Sequence, residues 1–131
     1  LLPNDAFHFS ISHCGDFAAA IICENQSTGI DVEVITPKIE MVKNRFLSET
    51  EINMLPAADP VFLTLCWSCK EAVYKWYGKG RLSFKNHIIL NEIFVKENTG
   101  IMNCRFMMGE EKELKIQFHL FQNICLAWVK G

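Results

Sequence analysis

The chain is 131 residues long and 15.0 kDa in mass, half hydrophobic, with thirteen Lys plus Arg against fifteen Asp plus Glu for a net charge of -2. Ten Phe, three Trp and two Tyr in a chain of this length support one domain with a real core and exclude a disordered or collagen-like polymer. The near-balanced charge excludes a general basic field that would gather nucleic acid or anionic lipid, so an anionic ligand must be caught locally.

The amino end, Leu1-Leu2-Pro3-Asn4-Asp5, carries neither an initiator Met nor a basic stretch followed by an apolar one. It reads as neither a signal peptide nor a natural start, and residues are expected upstream. Phe7, Phe9 and Ile11 alternate with His8, Ser10 and Ser12, which predicts a strand with one buried face. His13-Cys14-Gly15-Asp16 then turns it into the apolar run Phe17 to Cys23, making a hairpin. That run is far shorter than the roughly 20 residues that span a bilayer, so neither a transmembrane helix nor a membrane partner is expected.

Ile30, Val32 and Val34 alternate with Asp31 and Glu33 in a third strand, which Pro37 ends. Ile39 to Leu47 reads as a short helix, and Ser48-Glu49-Thr50-Glu51 as a capping box that opens another, stopped by Pro56. Pro60 opens the longest helix, over 61–77. There Phe62, Leu65, Cys66, Cys69, Ala72, Val73 and Trp76 recur at steps of three and four, and Gly78 and Gly80 provide the stop. His87 to Val95, Ile101 to Met108, Leu114 to Phe121 and Ile124 to Val129 alternate imperfectly between turn-forming segments and read as antiparallel strands. The pattern predicts an α+β fold, an antiparallel or mixed sheet packed on a long central helix, without repeats or a low-complexity linker.

Asp31 and Glu33, two apart on a strand, share a face with about 7 Å between their Cα atoms, and their mutual repulsion would be relieved by a divalent cation. Mg²⁺ suits such a pair, although a bare D-x-E is more often a solvated acidic strand face. Ser68, Glu71 and Lys75 share the polar face of the long helix. In isolation Glu71 and Lys75 read as a surface ion pair, but Trp67, Tyr74 and Trp76 leave little circumference for water, so these charges are expected to meet a ligand or a partner element. Ser12 and His13, at the end of a strand, can bind phosphate, although a lone His13 reads more readily as a turn residue bonded to its own loop. His8, His87 and His119 make no metal-ligand spacing. Of six Cys, at 14, 23, 66, 69, 104 and 125, the C-x-x-C pair Cys66 and Cys69 falls on the apolar stripe and reads as core, and reduced thiols in cytoplasm are expected. Ser48 and Glu51 are assigned to capping alone.

In order along the chain stand Ser-Ile-Ser-His (10 to 13), Gly-Ile-Asp-Val-Glu (29 to 33), Arg-Phe-Leu-Ser-Glu-Thr-Glu (45 to 51) and Trp-Ser-x-Lys-Glu-Ala-x-x-Lys (67 to 75). This series, over residues 7 to about 84, resembles the 4'-phosphopantetheinyl transferases. The Ser-x-Ser-His segment is similar to the larger, surfactin-synthetase-activating type, built from two pseudo-symmetric α+β halves. The resemblance implies transfer of the 4'-phosphopantetheine arm of coenzyme A to a serine of an apo acyl or peptidyl carrier protein, with loss of 3',5'-ADP. It implies Asp31, Glu33 and Glu71 as Mg²⁺ ligands, with Glu71, or a metal-bound water that it orients, as base. Lys75 and His13, beside Ser12, would neutralise phosphate oxygens; Lys70 is the weaker candidate, about 100° around the helix from Glu71. It also implies that residues 1–25 are the tail of a first half and 26–131 the second half, carrying the metal site. An apolar inter-half surface would then favour self-association. The alternative is an incomplete half that binds coenzyme A or a carrier protein without turnover.

Overall fold

The computed structural model of the chain describes residues 7–131; the amino-terminal pentapeptide read above lies outside them. Strands β1 (Phe7–Cys14) and β2 (Phe17–Glu24) form an antiparallel hairpin in which Ser10 faces Ile21 and Ser12 faces Ala19. Its tight turn uses Gly15 at φ 58°, the left-handed region that glycine enters without steric cost. β3 (Thr28–Val34) follows, then a 3₁₀ turn (Pro37–Met41) and helices α1 (Lys43–Phe46), α2 (Glu49–Met54), α3 (Pro60–Tyr77) and α4 (Phe84–His87). β4 (Ile88–Lys96), β5 (Thr99–Phe106), β6 (Lys112–Phe121) and β7 (Ile124–Lys130) complete the chain. Apart from the two-stranded hairpin, the strands form one five-stranded antiparallel sheet in the order β3-β7-β6-β5-β4.

Helix α3 is delimited by the chemistry its ends require. The Asp59 side chain accepts from the Phe62 N–H at 3.1 Å, Pro60 occupies the first turn, and Gly78 closes the helix at φ 71°. Its buried stripe of Leu65, Cys66, Cys69, Ala72 and Val73 packs in one core with Met102, Cys104, Phe118, Cys125, Ala127 and Val129 of the sheet. Since β3 pairs with β7, Asp31 lies opposite Ala127 and Glu33 opposite Cys125. Both carboxylates therefore share the sheet face that packs on α3, where Ala127 and Cys125 are fully buried.

Gly29 makes that approach close. A Cβ there would overlap the Ala72 carbonyl oxygen and crowd the Trp76 amide, so no larger residue lets α3 lie this near β3. Gly29→Ala is expected to destabilise the chain by about 1–3 kcal/mol through overpacking. Denaturant unfolding reads this directly, and an unshifted midpoint would mean that the helix does not press on this backbone.

Three sequence expectations are corrected. By hydropathy β1 should bury Phe9 and Ile11, yet these are 71% and 61% exposed while Ser10 and Ser12 are buried. The reason is a backbone need: β3 is an edge strand, and its Ile30 and Val32 N–H groups donate to Ser10 Oγ and Ser12 Oγ, each at 3.0 Å. The helix expected over 39–47 is split at Val42, at φ −120° and ψ 2°, into the 3₁₀ turn and α1. Finally, the strand expected from His87 is preceded by the single turn α4, capped by Ser83, whose side chain accepts from the Asn86 N–H at 3.1 Å.

Candidate functional site

The seam between β3 and α3 gathers most of the charged residues singled out in the sequence. Ser68, Glu71 and Lys75 lie along one helix face, as their spacing requires, and that face meets β3. Ser68 Oγ donates to the Asp31 carbonyl at 3.3 Å, and Lys75 Nζ donates to the Ile30 carbonyl at 3.0 Å. Lys75 Nζ also stands 3.2 Å from Asp31 Oδ1, to which Ser12 Oγ donates at 3.4 Å. Asp31 itself is 3% exposed, far from the solvated acidic face that a bare D-x-E suggests. Its second oxygen, Oδ2, is buried and has no hydrogen-bond partner among the described residues.

Glu33 and Glu71 are half-buried beside it. Burial, the close approach of the Asp31 side chain and the charges of Asp31 and Glu71 push the Glu33 carboxyl from the ordinary 4.5 up to about 8, against the pull of Lys75. Burial and the Asp31 charge raise Glu71 as well, and Lys75 again opposes. Among the described residues no three His, Cys, Asp or Glu side chains already converge as a metal cage. The donor set nevertheless suits a hard divalent cation: two glutamate carboxyls whose ionisation is disfavoured, beside a buried Asp31 oxygen left unpaired, are what such a cation relieves.

The other residues named from the sequence are distributed differently. Ser12 is spent on the β3 edge and on Asp31, and by strand alternation His13, exposed opposite Ala18, points to the other side of β1. Lys70 lies outside the cluster altogether. Its fully buried ammonium reaches the Phe46 and Phe84 carbonyls, each at 2.7 Å, and Glu51 Oε2 at 2.9 Å. With three donors and three acceptors, Lys70 has no proton to offer a phosphate, and its placement corrects the expectation that it binds one.

Glu51, expected only to cap α2, does that and more. Oε1 accepts from the Ser48 N–H at 2.9 Å while Oε2 takes both Lys70 and the Leu90 N–H at 2.9 Å. His8, set aside in the sequence because it fits no metal spacing, lines a cleft of about 320 Å³ with Lys75, Phe7, Phe9, Ser27 and Thr28. The signal was available, since residue 8 shares strand parity with Ser10 and Ser12. Cys66, Cys69, Cys104 and Cys125 are buried free thiols whose pKa values burial raises, to about 12 for Cys104 and Cys125. Such thiols are poor nucleophiles, and a redox role for the C-x-x-C pair has no support.

Two curated proteins are similar over 79 residues. The 4'-phosphopantetheinyl transferase psf-1 of Bacillus pumilus is 37% identical, the alignment covering 57% of this chain and 34% of that protein. Enterobactin synthase component D of Salmonella austin is 38% identical, with 57% and 33% covered. The chain thus spans about a third of the length of the curated relatives that it matches. The family model of the 4'-phosphopantetheinyl transferase superfamily matches residues 27–129, nearly all of the five-stranded sheet together with α3 and the carboxylates that α3 meets. On that match over most of its length, the chain belongs to the 4'-phosphopantetheinyl transferase superfamily.

Proposed function

We propose that the chain transfers the 4'-phosphopantetheine arm of coenzyme A to a serine of an apo acyl or peptidyl carrier protein in the cytoplasm. The observation that carries this reading is the unpartnered, buried Oδ2 of Asp31 in the company of Glu33 and Glu71. Asp31, Glu33 and Glu71 would hold Mg²⁺. When bound, Mg²⁺ supplies Lewis acidity at the diphosphate and neutralises charge as the leaving group departs.

The chain's own residues do the rest. Lys75 donates to phosphate oxygens, Ser68 and Gly29 keep α3 at working distance from β3, and Glu71 accepts the proton of the carrier serine hydroxyl. The serine oxygen attacks phosphorus as the phosphoanhydride bond breaks. 3',5'-ADP carries away the electron pair and Glu71 keeps the proton. Burial and the Asp31 charge raise the Glu71 pKa, which makes its carboxylate a stronger proton acceptor than an ordinary one.

In this reading residues 1–25 close a first half and 26–131 form the second. The exposed Phe9, Ile11 and Ile22, at 71%, 61% and 69%, supply an apolar surface through which the chain self-associates. A monodisperse monomer in light scattering would count against that last point.

Labelling of apo carrier proteins with fluorescent coenzyme A, with and without Mg²⁺, tests the function. Metal-dependent labelling supports the transferase. Calorimetric binding of coenzyme A without any labelling would favour the incomplete half instead.

The raised Glu33 pKa adds a pH prediction. Below about pH 8 the metal-free chain carries Glu33 largely protonated, whereas a metal ligand must be ionised. Mg²⁺ uptake at pH 7 is therefore expected to release a proton, seen as a dependence of calorimetric heat on the buffer's ionisation enthalpy. Affinity should climb as pH rises toward about 8 and level off above it. Without metal the pH dependence of folding runs the other way, since a carboxyl raised by folding contributes stability at low pH that is lost as pH rises through its folded value. Metal heats independent of buffer would remove Glu33 from the ligand set.

A further inference from the structure

Asp31 is engaged on one side only. Oδ1 holds Lys75 and Ser12, and the buried Oδ2 holds nothing. Lys75 is also the cation whose field favours ionisation of both Glu33 and Glu71, against the burial that disfavours it. The neighbouring cation cannot share this work, because Lys70 is turned away to Glu51. Among the described residues a single ammonium thus faces all three carboxyl groups.

That ammonium, which also donates to the Ile30 carbonyl at 3.0 Å, is only partly buried. The Lys75 side chain is 28% exposed against 4% for Asp31, and it forms part of the cleft that His8 and Thr28 line. A lysine stem with four rotatable carbons can carry Nζ from the carboxylate side to the cleft side without moving the helix. Two cations at one carboxylate cluster repel each other, so the ammonium and a divalent ion compete for the same negative charge.

We propose that Lys75 is an exchangeable counter-ion, which holds Asp31 while the carboxylates carry no metal, releases it on metal uptake and turns into the His8 cleft to take a phosphate oxygen. The proposal rests on the metal-site reading above and gives that site an order. Lys75 becomes available to the anionic substrate only after the metal has arrived, so each ligand raises the affinity for the other by the same factor. The ion pair between α3 and β3 is then a resting state of the site as well as a structural tie.

Calorimetric titration of Mg²⁺ into the chain without any nucleotide is the test. Lys75→Gln keeps N–H donors for Asp31 and the Ile30 carbonyl but carries no charge, and it should bind Mg²⁺ about tenfold more tightly than the native chain. Lys75→Arg keeps the charge and should bind as the native chain does. With 3',5'-ADP as the anionic probe, Mg²⁺ should strengthen nucleotide binding in the native chain and do so much less in Lys75→Gln.

Equal or weaker Mg²⁺ binding by a Lys75→Gln chain with native near-ultraviolet circular dichroism overturns the exchange and leaves the metal site standing. Tighter binding by Gln and Arg alike also overturns it, because loosened packing and not charge would then explain the gain. Absence of metal binding from all three chains, with and without the nucleotide, overturns the metal-site reading along with it.

Discussion

Glu71→Gln is expected to lower phosphopantetheinyl transfer by at least about 10²-fold while leaving the fold intact, because it removes a proposed metal ligand and the proposed base with one change of atom. The side chain is half-buried on the α3 face that meets β3, so a neutral isostere of the same shape does not open a cavity. It also removes one of the charges that raise Glu33. Steady-state labelling of an apo carrier protein checks the activity, and circular dichroism checks the fold. Cys69→Ala, on the buried side of the same helix, serves as the control and should keep its activity per folded molecule. Full activity in Glu71→Gln would remove Glu71 from both roles.

The largest loss of stability is expected at Lys70. Its ammonium is 0% exposed, its partner Glu51 is 1% exposed, and between them they hold the Phe46 and Phe84 carbonyls and the Ser48 and Leu90 N–H groups. One ion pair thus ties α1, α2, α4 and β4 to α3. Lys70→Met leaves a buried carboxylate without its cation and two carbonyls without a donor, a loss of about 3–5 kcal/mol in comparable buried pairs.

Burial of an ammonium is itself unfavourable and lowers the Lys70 pKa, while Glu51 opposes that shift. The double variant Lys70→Met with Glu51→Gln should therefore recover part of the loss by removing the stranded charge. Urea unfolding of the native chain, both single variants and the double variant measures the coupling. Additive losses would mean that the pair is not a unit.

The fold and the site were legible where the relevant interaction lies within one helical turn or one strand period. The bounds of α3 followed from Pro60 and Gly78, and the α2 capping box from Ser48 and Glu51. The shared face of Ser68, Glu71 and Lys75 and the shared face of Asp31 and Glu33 are matters of spacing alone, and both stand in the structure. The spacing could not show that these two faces meet, because β3 pairs with β7 from nearly a hundred residues away in the chain.

Where local rules met a distant backbone, they failed. Hydropathy buries Phe9 and Ile11, but the open edge of β3 required hydroxyl acceptors and took the serine face of β1. Helical spacing put Lys70 only about 100° around α3 from Glu71, yet Glu51 of another helix captured it. His8 looked isolated until β1 lay beside the end of α3 and brought it to the Lys75 cleft.

The sequence by itself therefore determined most of the elements, the ends of α2 and α3 and which side chains travel together on one face, since these depend on steric and hydrogen-bonding preferences within a few residues. The tertiary structure alone decided which faces are buried, which cation serves which carboxylate and which histidine reaches the cleft. Those outcomes depend on unsatisfied backbone groups and charges whose partners are brought near only when the sheet closes.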